Sequence, residues 1–202
     1  GMSGIVQCLA SQRLAPVQCC GIGHPVTTGL PTMDYFVSGD LIEPECAEEH
    51  YNEKLIKLPG ISFPYIPAPL PALDLKRSFF GLKEKEIVYL CLQSPQKYLP
   101  GDDHMYAEIA ARLNNAVLVF LEGGSQIFGH STLKTRLRNA FDKYNVNMER
   151  QVRYLPHLSP EQYQSLNSLG DIALDTPGWS GGNTTLEALY QNLPLVTLRG
   201  NQ

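Results

Sequence analysis

Between residues 83 and 202, short apolar runs alternate with helical patterns, and this alternation limits the possible folds more than any other feature. Residues 86–92 (EIVYLCL) and 116–121 (AVLVFL) are continuous apolar runs of strand length. Residues 151–155, 171–174 (DIAL) and 194–198 (PLVTL) repeat the signal. Helical patterns lie between them. Residues 102–113 place Met105, Ile109 and Leu113 on one stripe behind a candidate N-cap, Asp102. A basic amphipathic pattern covers residues 131–143, after a turn at Gly123-Gly124, and residues 183–190 form the last helix. Ser159-Pro160-Glu161-Gln162 has the form of a capping box with proline at the first helical position. Strands separated by helices must run parallel, because only antiparallel neighbours can be joined by a tight hairpin. The expected class is therefore α/β, with a Rossmann-like parallel sheet.

The first 58 residues are less regular. Residues 15–21, 34–37 and 54–58 read as strands, with a short helix around 46–51. That is too little to cover both faces of a sheet, so this region is expected to be part of a lobe. Residues 59–82 open with five prolines in thirteen positions, from Pro59 to Pro71, and read as an extended linker. The expected organisation is a partial lobe over 1–58, a proline-rich linker over 59–82 and a C-terminally incomplete nucleotide-binding lobe over 83–202.

Charge and composition exclude several functions. A net charge of -4 does not suit a nucleic-acid coat, which needs clustered cations. No run approaches the roughly 18–20 apolar residues that cross a bilayer. Gly1 before Met2 resembles a tag scar, and nothing at the N-terminus has the pattern of a signal peptide. The five cysteines show no metal-ligand spacing; Cys19, Cys20 and Cys91 fall in strand-like runs and are expected to be reduced core residues. These readings point to a cytoplasmic protein that binds neither membrane nor metal.

Three loops carry candidate chemistry. The first runs from Asp175 through Gly181-Gly182 to Asn183-Thr184-Thr185 and Glu187, a strand end followed by a glycine turn and a helix start. The N–H groups of Asn183, Thr184 and Thr185 can face an anion there, and Glu187 can accept hydrogen bonds from a sugar diol. A merely capped helix has the same spacing. The second loop, Gln93-Ser94-Pro95-Gln96-Lys97, follows the strand at 86–92 and places Lys97 at the carboxyl edge of the sheet, where ligands of open α/β sheets gather. A solvated lysine is the alternative. The third, Gly21-Ile22-Gly23-His24-Pro25-Val26-Thr27-Thr28-Gly29, again permits close backbone approach. His24 there and His157 before the 159–162 box are possible site residues, whereas His50, His104 and His130 are assigned to solvent.

The segments Ala15-Pro16-Val17-Gln18, Gly21-Ile22-Gly23-His24-Pro25, Thr27-Thr28-Gly29 and Met33-Asp34-Tyr35 resemble the O-GlcNAc transferase and Spindly-like family, glycosyltransferase family 41. So does Leu174-Asp175-Thr176-Pro177 with its glycine turn, the Thr pair and Pro194-Leu195-Val196-Thr197. The match runs in order from about residue 13 to 200 and is most similar to bacterial members. The resemblance implies a GT-B fold and metal-independent, inverting transfer of a sugar from a nucleotide to Ser or Thr of a protein. UDP-GlcNAc is the implied donor, with GDP-fucose, used by plant Spindly proteins, as the alternative.

By the same resemblance, Lys97 is the catalytic lysine that binds the donor diphosphate and assists its departure. Gln93 and Ser94 lie beside it; Asn183, Thr184 and Thr185 form the phosphate-binding helix start, and Glu187 binds ribose. Leu158 pairs with the base through its backbone, Tyr163 packs by the nucleoside, and Ile22 and Gly23 lie against the donor sugar. Gly182 replaces a histidine of the animal enzymes, and Pro160 and Tyr163 replace their Lys and His. The tetratricopeptide repeats and the first half of the N-terminal lobe are not recognisable, so a partial catalytic region is expected, with self-association through exposed core surface possible. A non-catalytic module that binds a nucleotide sugar or a partner is the alternative. Sugar-nucleotide epimerases share the architecture but not the Gly-His-Pro loop.

Overall fold

The computed structural model describes residues 3–21, 23, 24, 26–67, 73–122 and 130–200. The chain divides into two units between residues 66 and 67, inside the proline-rich segment. The Gly123-Gly124 turn, Ile22 and Pro25 lie outside the described residues.

In the first unit, helix α1 (Gly4–Ala10), for which the sequence gives no strong signal, buries none of its residues. Strands β1 (Cys19–Gly21), β2 (Tyr35–Gly39) and β3 (Lys54–Leu58) form a parallel sheet in the order β1-β2-β3. The helix expected around 46–51 is a single 3-10 turn, Ala47–His50. Cys19 is exposed and Cys20 half-buried, so neither is a core residue; β1 is an edge strand three residues long and leaves its side chains uncovered. Phe36 is buried under Tyr51, their ring centroids 4.5 Å apart. Gly39 has no alternative: a side-chain carbon there would lie 2.3 Å from the carbonyl oxygen of Gly60.

The loop after β1 is held by one buried carboxylate. Glu53, 4 % exposed, accepts from Thr27 Oγ1 at 2.6 Å, from the Thr28 N–H at 2.8 Å and from the Thr28 hydroxyl. Burial pushes this carboxyl up, but the threonine hydroxyls and backbone N–H groups outweigh it and set its pKa below the ordinary glutamate value.

The second unit is a five-stranded, wholly parallel sheet. Its elements in chain order are β4 (Ile87–Cys91), α2 (Asp103–Arg112), β5 (Ala116–Leu121), α3 (His130–Lys143), α4 (Met148–Gln151), β6 (Val152–Leu155), α5 (Pro160–Leu169), β7 (Ile172–Leu174), α6 (Asn183–Tyr190) and β8 (Leu195–Val196). The strand order is β6-β5-β4-β7-β8. The period-2 geometry of a strand sends alternate side chains to opposite faces, and both faces here are covered. Cys91, Leu118 and Phe120 pack with Tyr106 of α2 and Leu137 and Phe141 of α3. Val88, Leu90, Val117 and Val119 pack with Leu166 of α5 and Ala188 of α6. Phe80 and Leu82, from the end of the proline-rich segment, join this second cluster.

Two helix starts differ in an instructive way. The Ser159 box forms as expected: Ser159 Oγ accepts from the Gln162 N–H at 3.3 Å, and Gln162 Oε1 accepts from the Ser159 N–H at 2.9 Å. Asp102 occupies the N-cap of α2 but makes no capping bond with its side chain. The buried residues of α2 are Asp103, Tyr106, Ala107 and Ala110; Met105 and Ile109 of the expected stripe are half-buried and pack against the same core cluster, whereas Leu113 is exposed. Asp103 is held in this face by a fork from Arg136 of α3 at 2.8 and 2.9 Å. The expected strand over 194–198 shrinks to Leu195–Val196.

Replacing Glu53 leaves the Thr27 and Thr28 donors without their acceptor. Glu53→Ala is expected to lower unfolding free energy by about 1–3 kcal/mol at pH 7. Because the folded-state pKa is depressed, this contribution is full above the unfolded value and disappears as pH falls through the folded one. The stability difference between the two proteins in denaturant titrations should therefore narrow as pH falls below the ordinary glutamate value of about 4.3.

Candidate functional site

Strand order locates the site before any side chain is considered. Strands β4 and β7 are hydrogen-bonded neighbours, yet α2, which follows β4, packs on one face and α6, which follows β7, on the other. Their loops must separate at the carboxyl ends, opening a crevice at the point where the strand order reverses. Gln93 to Lys97 leave β4 at this crevice, and Asp175 to Gly182 leave β7 there.

Three expected residues meet directly across the crevice. Gln93 Nε2 donates to Thr184 Oγ1 at 2.8 Å, and Lys97 Nζ donates to Gln93 Oε1 at 3.0 Å and to the Ser180 carbonyl at 2.9 Å. Gln93 thus joins the lysine of one loop to the helix start of the other. Burial lowers the pKa of Lys97, and the nearby Asp175 charge opposes that shift. The lysine sits in a 3-10 turn, Pro95–Lys97, and the next residue, Tyr98, is buried. The Tyr98 hydroxyl donates to the Cys91 carbonyl at 2.6 Å and accepts from the Gln93 N–H, while its own carbonyl accepts from Arg136 at 2.7 Å.

The opposite loop is organised by Asp175, which is 6 % exposed. Its Oδ1 accepts from the N–H groups of Thr176 and Gly181, at 2.9 and 2.8 Å, and its Oδ2 from Thr197 Oγ1 at 2.8 Å. Thr176 Oγ1 closes the turn on the Trp179 carbonyl at 2.7 Å. A side-chain carbon at 181 would lie 2.4 Å from Gln93 Nε2 and 2.5 and 2.7 Å from the hydroxyls of Thr185 and Thr184, so these side chains would have to move apart.

The remaining candidates are placed as follows. Asn183 and Thr184 are the first residues of α6, and their N–H groups have no partner among the described residues. The Thr185 N–H does not join them, because it donates to the Gly182 carbonyl at 3.1 Å; the tight first turn consumes one of the three N–H groups expected to face an anion. The Thr185 hydroxyl is buried. Gly182 is the exposed N-cap. Glu187 is half-buried, and burial raises its pKa above the ordinary value. Ser94 is exposed, and Tyr163 lies on α5 beside Gln93, Thr184 and Thr185 around a small cavity. Leu158 packs its side chain against the second core cluster, while His157 is exposed in the loop between β6 and α5. Gly23 and His24 belong to the first unit. His50 and His104 are exposed, and the side chain of His130 lies outside the described residues. Asp175 and the Arg136–Asp103 fork have no assigned role in the sequence reading. A carboxylate directly after a buried strand and before a glycine turn is the signal for Asp175; the fork, 33 residues apart in the chain, has none.

Among the described residues no group of three or more His, Cys, Asp or Glu is arranged to hold a metal ion, and no helix is long and apolar enough to cross a membrane.

No family model matches the chain. Curated relatives do. A Petunia hybrida protein named "Probable UDP-N-acetylglucosamine--peptide N-acetylglucosaminyltransferase SPINDLY" is 29% identical over 195 residues, covering 94% of this chain and 20% of its own. The SPINDLY protein of Oryza sativa subsp. japonica is 31% identical over 193 residues, and the SEC protein of Arabidopsis thaliana, named for the same activity, is 27% identical over 190. This chain is similar in sequence to the SPINDLY and SEC proteins. It spans about a fifth of the length of these relatives. Among solved structures, a mutant O-GlcNAc transferase of Thermobaculum terrenum is 28% identical with a TM-score of 0.76, over 93% of this chain and 34% of that one. The trehalose-6-phosphate synthase OtsA, 12% identical with a TM-score of 0.54, shares the fold alone. The fold is α/β of the GT-B glycosyltransferase type, and its Rossmann-like lobe is the second unit.

Two substitutions test the geometry. Gly181→Ala inserts a carbon among Gln93, Thr184 and Thr185 and should cost about 1–3 kcal/mol in a denaturant titration, with the Gln93–Thr184 bond lost in a crystal structure. Asp175→Asn removes the charge that holds the Lys97 pKa up, so an Nζ-detected magnetic resonance titration should find that pKa lower than in the parent protein.

Proposed function

We propose that this chain carries the donor-binding lobe of a protein O-GlcNAc transferase, with UDP-GlcNAc as donor and a Ser or Thr hydroxyl of a protein as acceptor. The observation that carries the reading is the bridge from Lys97 through Gln93 to Thr184 at the β4/β7 crevice. It sets one cation and a helix N-terminus at the same point, an arrangement suited to a diphosphate. The printed names of the SPINDLY and SEC relatives supply the donor and the class of acceptor.

In this reading the diphosphate lies between the Lys97 ammonium and the N–H groups of Asn183 and Thr184. Lys97 Nζ has two acceptors among the described residues, Gln93 Oε1 and the Ser180 carbonyl, which leaves one of its three N–H groups for a phosphate oxygen. Glu187, one turn into α6, accepts from the ribose hydroxyls. The acceptor hydroxyl attacks the anomeric carbon from the face opposite the diphosphate, its proton passes to solvent or to the departing diphosphate, and configuration inverts as the bond to the leaving oxygen breaks. Negative charge then grows on the diphosphate, and a lysine with oriented N–H dipoles stabilises that charge more than the ground state. These groups supply the countercharge that a metal ion supplies in other enzymes. Partial burial of Lys97 makes its charge more effective, since less water screens it.

Calorimetric titration with UDP and with GDP tests the site and the base together. UDP should bind more tightly than GDP, and Lys97→Met should weaken UDP by at least about tenfold, the loss of one charge-assisted hydrogen bond. Equal affinity of the parent and variant would exclude Lys97 from the site. Incubation with labelled UDP-GlcNAc and a Ser-rich peptide separates transfer from binding alone.

A further inference from the structure

Beneath the start of α6 lies a cavity of about 20 Å³, walled on one side by Tyr163 and Asn167 of α5 and on the other by Thr184, Thr185 and Ala188 of α6. Two of its lining residues each carry a buried polar atom with no hydrogen-bond partner among the described residues, Asn167 Nδ2 and Thr185 Oγ1. Asn167 is only 1 % exposed. Buried polar groups without partners are rare and costly, so an amide and a hydroxyl of this kind at one small cavity require an explanation.

The neighbouring polar groups are already engaged. Thr184 Oγ1 accepts from Gln93 Nε2, Gln93 Oε1 accepts from Lys97, and both Asp175 oxygens hold the turn and Thr197. The cavity exceeds the roughly 10–15 Å³ that one water requires. We propose that it is a binding site for a single ordered water, which accepts from Asn167 Nδ2 and donates to Thr185 Oγ1, and that Asn167 is thereby a positioning residue for the first turn of α6. The water ties α5 to α6 at the point where Thr185 and Leu186 donate to the Gly182 carbonyl. The N–H groups of Asn183 and Thr184 are then held facing outward by a helix start that cannot rock. None of this depends on the identity of the donor.

The test uses the whole chain without any nucleotide. Oxygen-17 magnetic relaxation dispersion counts long-lived internal waters, and amide hydrogen exchange reports the first turn of α6. Asn167→Leu and Thr185→Val, each close in shape to the parent residue, should each remove one long-lived water, and the double variant should remove no more than either. Exchange at Thr185 and Leu186 should quicken by about tenfold in Asn167→Leu while amides of α2 and α3 keep their rates, the mark of a local effect. An unchanged water count in Thr185→Val would overturn the proposal, as would exchange that quickens uniformly across the unit. So would a crystal structure in which Asn167 Nδ2 bonds Thr185 Oγ1 directly. If Asn167→Leu does not fold, the count in Thr185→Val decides alone.

Discussion

The carboxylate of Asp175 organises the crevice on which the second unit's chemistry depends. It stands where β7 ends, out of water, and its oxygens take the N–H of Thr176, the N–H of Gly181 and the hydroxyl of Thr197. A buried charge is tolerated only when hydrogen-bonded in this way. Its three partners lie in the turn before α6 and just after β8, so one side chain fixes the path of the glycine turn against the sheet. The Ser180 carbonyl, which receives Lys97, and Gly181, whose missing side chain admits Gln93, are both placed by that turn.

The same carboxylate enters the electrostatics of Lys97. Desolvation disfavours the ammonium and the Asp175 charge favours it, with desolvation the larger effect. The lysine is therefore held at a position where an incoming anion gains more than it would at an open surface, because the ammonium's hydration has already been partly lost. On the other side of the crevice the Arg136–Asp103 fork and the buried Tyr98 hold the turn that carries the lysine. Both loops of the proposed donor site are thus mounted on buried polar networks, and preorganisation of this kind lets a site stabilise developing charge without rearranging.

Much of this was legible in the residues. The runs at 86–92 and 116–121 became β4 and β5 within a residue at each end, and the Ser159 box formed bond for bond, because continuous apolar strands and local capping depend on neighbours in the chain. Of the α2 stripe, Met105 and Ile109 pack against the core and Leu113 does not. The buried Asp103 beside them is held by Arg136, which lies on another helix, and no local periodicity contains that partner. Cys19 and Cys20 were misread as core for a related reason: an apolar run identifies a strand but not whether a neighbouring layer covers it. Among the site residues, Lys97, Gln93 and Thr184 could be named from loop position. The loss of the Thr185 N–H to a tight first turn could not, since it depends on the backbone path through Gly182.

What the sequence determined by itself was the parallel α/β class, the loops at the carboxyl edge and the resemblance to a glycosyltransferase family. Each of these is written in local pattern or motif order. Tertiary structure alone decided the strand order β6-β5-β4-β7-β8, which makes β4 and β7 neighbours although more than 80 residues separate Leu90 from its partner Ala173. It also decided that Gln93 bonds Thr184 and that Asn167 and Thr185 line one cavity. The physical reason is that side-chain hydrogen bonds depend on distances of a few ångströms, and those distances between remote segments exist only once the sheet has brought its strands together.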